Sequence, residues 1–108
     1  MTTKTVLEPE IAEGSQTERE SLYHVIILND EEHTIDYVVE MLQATVGLSA
    51  TAALACTVEA DNTGSAVVFT GSLEDAQHKR DLIHAYGPDW RMPNSRGSVA
   101  ALVEPAAE

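Results

Sequence analysis

Apolar and polar positions change rhythm several times along this chain, and each change marks an element. Residues 22–28 read LYHVIIL, a short run rich in strand formers. Polar residues Asn29 to His33 interrupt it. Ile35, Val38, Val39, Leu42 and Val46 then follow at helical spacing. Thr34 is placed to cap that helix, and Asp36 sits against the positive end of its dipole. Gly47 ends it. Ser49 then caps a second, Ala-rich helix that is expected to run to about Ala60. Asp61-Asn62-Thr63-Gly64 predicts a turn, and residues 66–70 (AVVFT) a second strand. Ser72 caps a third helix, with Asp75 three residues later as a weak capping-box partner. Gly87-Pro88 is a strong stop for that helix. Residues 87–97 (GPDWRMPNSRG) form a loop, and residues 98–103 a last strand.

The predicted order is β-α-α-β-α-β, with no internal repeat. Three strands of this length must share one sheet, and helices must cover at least one face, which makes an α/β sandwich. Residues 1–20 are polar and acidic without sustained periodicity, and they predict a disordered tail ahead of one domain over residues 21–108.

Composition narrows the function classes. The chain has 108 residues, 44% of them hydrophobic, enough for one modest core. Its net charge of −12 argues against nucleic acid, whose phosphates need a basic face, and against anionic lipid. The charge suits a soluble monomer, or one with cationic partners. A single cysteine, Cys56, excludes an intramolecular disulfide, and no His/Cys spacing suggests structural zinc. No apolar leader and no apolar run near 18 residues is present, so a cytoplasmic protein that does not span a membrane is expected.

Candidate chemistry concentrates at the first strand-to-helix turn. Asn29, Asp30, Glu31 and Glu32 stand there together. Two readings of that turn stay open: a solvated loop with good helix-start residues, or a pocket for a cation. A carboxylate beside an amide can accept hydrogen bonds from an ammonium group. A calcium loop is excluded, because the sixth residue counted from Asp30 is Ile35 rather than glycine. Asp61, in "DNTG", has no second copy to form a proteolytic dyad and can serve simply to start a turn. His24, His33, His78 and His84 lack metal-ligand spacing. No nucleophile has a base nearby in sequence, so neither a catalytic residue nor a cofactor is expected. Cys56 reads as a small core residue. Glu74 and Lys79 read as surface charge, and Trp90 either plugs the edge of the core or faces a partner.

The stretch YHVIILNDEEHTIDYVVEML resembles the signature of the ClpS family, the adaptors of the AAA+ Clp protease. The resemblance continues through LEDAQHKRDLIHAYG and ends at ALVEPA, covering about residues 22–106. It aligns without a gap from Tyr23 to Tyr86, and the loop at 87–97 is several residues longer than is usual. The resemblance implies a three-stranded antiparallel sheet packed on three helices. It implies a non-catalytic adaptor that holds a substrate by a free, bulky, apolar N-terminal residue (an N-degron). The adaptor delivers this substrate to the N-terminal domain of a Clp ATPase. By the same resemblance Asn29 and Asp30 receive the α-ammonium group, joined by Asp61. Glu31, His33, Ile35, Val38, Thr57, Ala60 and Val99 belong to the side-chain pocket. Glu74 and Lys79 contact the ATPase. The alternative is a ClpS-like regulator that docks on the ATPase without reading N-termini.

Two positions depart from the family pattern. Its ammonium-binding histidine falls at Asp61 here, and its gating methionine at Thr57. Asp61 can still accept from an ammonium. Thr57 is smaller than methionine, which implies a wider and less selective pocket. Thr57→Met is therefore expected to change the ranking among peptides that begin with Leu, Phe, Trp or branched residues. Competition binding would show this, and an unchanged ranking would reject the idea.

Overall fold

A computed structural model describes residues 21–106. The tail expected over residues 1–20 lies outside the described residues. The elements follow the predicted order: β1 (Tyr23–Leu28), α1 (Ile35–Thr45), α2 (Ala50–Thr63), β2 (Ser65–Gly71), α3 (Leu73–His84) and β3 (Ala101–Pro105). The strands form one antiparallel sheet in the order β2-β1-β3.

All three predicted caps are made. The Thr34, Ser49 and Ser72 hydroxyls accept from the N–H groups of Tyr37, Ala52 and Asp75, each at 3.1 Å. Each bond satisfies one of the donors that a helix start leaves without a partner. On the sheet's inner face Val25 and Ile27 of β1, Ala66 and Val68 of β2 and Ala101 of β3 are buried. Tyr37, Val38, Met41 and Leu42 of α1, Ala53 and Ala60 of α2, and Ala76 and Ile83 of α3 complete this core. On the other face Val67 and Leu102, the cross-strand partners of Ile26, are exposed. The β1–β2 register shifts between Val25 and Ile26, which leaves Val68 as an extra, inward-turned residue.

Several boundaries differ from expectation. α2 continues three residues beyond Ala60, so Asp61, Asn62 and Thr63 form its last turn rather than a free turn. Gly64 ends the helix in the left-handed region (φ 100°), donating its N–H to the Ala60 carbonyl at 2.8 Å. β3 starts at Ala101, not Ser98, because the Ser98 hydroxyl and the Val99 side chain are engaged elsewhere. α3 ends at His84, before the Gly87-Pro88 stop. Trp90 does not plug the core, since it is 82% exposed. Cys56 is only partly buried, with its thiol 3.6 Å from the Val67 carbonyl.

Gly64 matters beyond its own turn because its carbonyl accepts from the Asn29 N–H at 2.9 Å. Gly64→Ala would meet no side-chain clash but would force a Cβ into the left-handed region. It is expected to cost about 1–2 kcal/mol, measurable as a lower denaturation midpoint, and an unchanged midpoint would contradict this account.

Candidate functional site

The ends of three elements meet around one small cavity of about 50 Å³. The end of β1 contributes Ile27, Leu28, Asn29 and Asp30. The start of α1 contributes His33, Thr34, Ile35 and Val38, and the last turns of α2 contribute Thr57, Ala60 and Asp61. Two backbone bonds fix the meeting point. Leu28 donates to the Ala100 carbonyl on one side (3.1 Å), and Asn29 to Gly64 on the other.

Most of the residues named from the sequence therefore come together. Asn29, Asp30 and Asp61 share a cavity with His33, Ile35, Val38, Thr57 and Ala60. Glu31 and Val99 do not line it. Glu31 is exposed on the turn, and Val99 is 2% exposed within the core. Glu74 and Lys79 lie apart on α3, where the Lys79 ammonium sits 5.8 Å from the centre of the Phe69 ring. The cavity, at about 50 Å³, has room for one or two water molecules. Thr57 is buried and donates its hydroxyl to the Ala53 carbonyl at 2.7 Å. The wall it offers is accordingly more apolar than its composition suggests. Ile35 is 49% exposed, so the apolar wall is open to solvent on its side.

The acidic turn is ordered from within. One Asp30 oxygen accepts from the Glu32 N–H at 2.9 Å, and both oxygens lie 2.8 Å from His33 Nδ1. His33 Nε2 lies 2.6 Å from the Gly97 carbonyl, and the ring stacks on Tyr37 with centroids 4.7 Å apart. Sequence reasoning assigned His33 to the pocket wall and missed that its ring ties the turn to the loop at 87–97.

The larger omission is Asp89. It is 1% exposed beneath the start of α1. One of its oxygens accepts from both the Thr34 N–H (2.7 Å) and the Thr34 hydroxyl (2.8 Å). The other accepts from the Arg91 N–H at 3.0 Å and its guanidinium at 3.3 Å. Arg91 in turn reaches Glu40 on α1 at 2.9 Å. The Tyr37 hydroxyl donates to the Gly87 carbonyl, and Ser98 donates to the same carbonyl while accepting from the Gly87 N–H. Burial pushes the Tyr37 phenol upward, which keeps it a donor. Burial alone would also raise the Asp89 carboxyl. The Thr34 and Arg91 backbone bonds, then the side-chain bonds from the same residues, outweigh burial and hold it at about 2. No sequence signal marks Asp89, because its partner Thr34 is 55 residues away.

Comparison with known proteins identifies the family and the fold. The family model described as ATP-dependent Clp protease adaptor protein ClpS matches residues 18–93. The ATP-dependent Clp protease adapter protein ClpS of Nautilia profundicola is 34% identical over 84 residues, 78% of this chain and 82% of that protein. The structure of Agrobacterium tumefaciens ClpS2 bound to L-phenylalaninamide aligns with a TM-score of 0.66 at 26% identity. The alignment covers 82% of this chain and 100% of that one.

The carboxylate beneath α1 makes stability acid-sensitive with a definite sign. The pKa of Asp89 is depressed on folding, from 3.8 to about 2. Its contribution is therefore complete above pH 3.8, shrinks as pH falls, and is gone below about pH 2. Asp89→Asn is expected to lower stability near neutrality by roughly 2 kcal/mol and to flatten the loss of stability across that acidic window. Urea unfolding at a series of pH values checks it, and identical slopes for the two proteins would exclude Asp89 as the linked group.

Proposed function

The chain belongs to the ClpS family of ATP-dependent Clp protease adaptors, and from that premise we propose that it captures proteins by a free amino terminus with a bulky apolar first residue and delivers them to a Clp ATPase. One observation carries the reading. Asn29, Asp30 and Asp61 border the same cavity as apolar Ile27, Ile35, Val38 and Ala60. Hydrogen-bond acceptors beside an apolar recess suit a ligand that carries an ammonium group next to a hydrocarbon side chain. Asp61 adds a second argument. It sits in the last turn of α2, against the negative end of the helix dipole, where a carboxylate is locally unfavourable. A cation held there relieves that conflict.

The ligand of the Agrobacterium protein fits the same logic. L-phenylalaninamide is an amino acid with its carboxyl group capped, so its α-ammonium and benzyl group remain to be recognised. On this reading the adaptor works in the cytoplasm, is not itself an enzyme, and meets the ATPase N-terminal domain through Glu74 and Lys79 of α3. Among the described residues no helix is long and apolar enough to cross a membrane.

A second reading has its own support. Asp30 already holds His33, and the cavity is small. A regulator that docks on the ATPase without reading N-termini would have such a site.

Fluorescence anisotropy separates the two readings. Labelled peptides that begin with Phe, Leu, Trp, Ile or Gly would be titrated free and acetylated. The adaptor binds free bulky termini and loses them on acetylation, which leaves the carboxylates without their cation. Asp30→Asn is expected to weaken binding about ten- to a hundredfold, the equivalent of one charge-assisted hydrogen bond. Lys79→Glu should weaken ATPase binding and leave peptide binding intact. Equal, weak binding of every peptide with ATPase binding retained would give the regulator reading the lead.

A further inference from the structure

We propose that Asp89 is a positioning residue of the amino-terminus site: by holding Thr34 it fixes the turn that carries Asn29 and Asp30, and so sets how strongly the site prefers a free terminus to a blocked one. This rests on the reading above that the turn receives an ammonium group. Residues 30–33 make no backbone-to-backbone hydrogen bond among the described residues, so the turn has no ladder or helix of its own to hold its shape. At its front end the Asn29 N–H is fixed on Gly64. At its rear end the Thr34 N–H and hydroxyl both donate to one Asp89 oxygen, at 2.7 and 2.8 Å. The Thr34 hydroxyl oxygen in turn accepts from the Tyr37 N–H, which joins the same anchor to α1. Asp89 is 1% exposed and does not line the cavity, so it acts on a ligand only through the turn.

The loop that carries Asp89 is braced from within. The Asp89 N–H donates to the Ser95 hydroxyl at 2.9 Å, and its carbonyl accepts from the Met92 N–H at 3.1 Å. The Ser95 N–H donates to the Met92 carbonyl at 3.0 Å. Asp89 and Gly97 therefore belong to one bonded loop, and that loop meets the turn at two consecutive residues, Thr34 and His33. Those residues adjoin Glu32, whose N–H orients the Asp30 carboxylate. Acceptors held in place before a ligand arrives lose little freedom on binding, which strengthens their hold on it. The apolar recess has different supports. Ile27 lies in the middle strand of the sheet, Val38 in α1, and Thr57 and Ala60 in α2, each inside a regular element. Loss of the Asp89 anchor thus disturbs the ammonium acceptors more than the recess.

Competition anisotropy tests this with unlabelled peptides that begin with Phe, Leu or Trp, each free and acetylated, taken to millimolar concentration well below the denaturation midpoint. Asp89→Ala is expected to weaken free Phe about tenfold, the equivalent of one poorly aimed charge-assisted hydrogen bond. Acetylated Phe presents no ammonium and is expected to bind as it does to the unaltered protein, and the ranking of Phe, Leu and Trp is expected to stay. Arg91→Ala loosens the same loop but leaves both Thr34 bonds, so it is expected to keep the ratio of free to acetylated binding. Asp89→Asn retains one oxygen for Thr34 and stands in if the alanine variant does not fold, with a smaller fall in that ratio. An unchanged ratio in the Asp89 variants would overturn the proposal. So would an equal fall in Arg91→Ala, which would make general loosening the cause, or equal weakening of free and acetylated peptides, which would place the effect in the recess. The adaptor reading survives all three, because the unaltered protein still prefers free termini. Absence of that preference in the unaltered protein would overturn the adaptor reading, and this proposal with it.

Discussion

The start of α1 rests on a buried anion. An isolated carboxylate removed from water would be strongly unfavourable. Asp89 is tolerated because Thr34 and Arg91 supply four donors and the helix start supplies its positive dipole end. The tie is long-range. It clamps the loop after α3 against the turn after β1, and two other contacts of the same loop lie beside it. Gly87 receives the Tyr37 hydroxyl, and Gly97 lies against His33. The acidic turn is thus held from below by a loop that contributes no residue to the cavity wall.

The cavity itself belongs to no single element. β1 ends there, α1 begins there and α2 ends there. Each end brings backbone groups and polar side chains that regular secondary structure does not use up. Local preference is overridden at two places, Asp61 on a helix C-terminal turn and the crowd of carboxylates at 30–32. Natural sequences accept such conflicts mainly where function requires them.

Only local features were legible in the sequence. Thr34, Ser49 and Ser72 act within three residues of themselves, so their caps could be read directly. The element order came from those caps and from the period of the apolar positions. The misread boundaries depended on distant partners. Asp61 to Thr63 look like a turn, yet they continue α2 until Gly64 adopts a left-handed conformation. Ser98 and Val99 have strand character, but Ser98 is engaged with Gly87, and pairing begins only at Ala101. Asp89 in its loop looks like any other turn former. The cavity members were named through the family resemblance, because periodicity cannot show that residues 30, 38 and 61 converge. Val99 and Glu31 fall outside the cavity for a related reason. Val99 is taken up by the core, and an acidic neighbour in sequence can face away in space.

The antiparallel sheet separates the two ends of β1. The cavity lies at its Leu28 end. At the other end Tyr23 pairs with Gly71 and Pro105, and Leu22 accepts from the Ala106 N–H. A strand of six residues spans about 20 Å. β1 is also the middle strand, bonded along both edges. Tension applied through the residues that precede Leu22 would therefore load both ladders at once and in shear, along the strand axis. An edge strand could peel away one bond at a time, whereas β1 has to slide against two neighbours together. A pull along the line from Leu22 to the cavity therefore meets two ladders in shear rather than one.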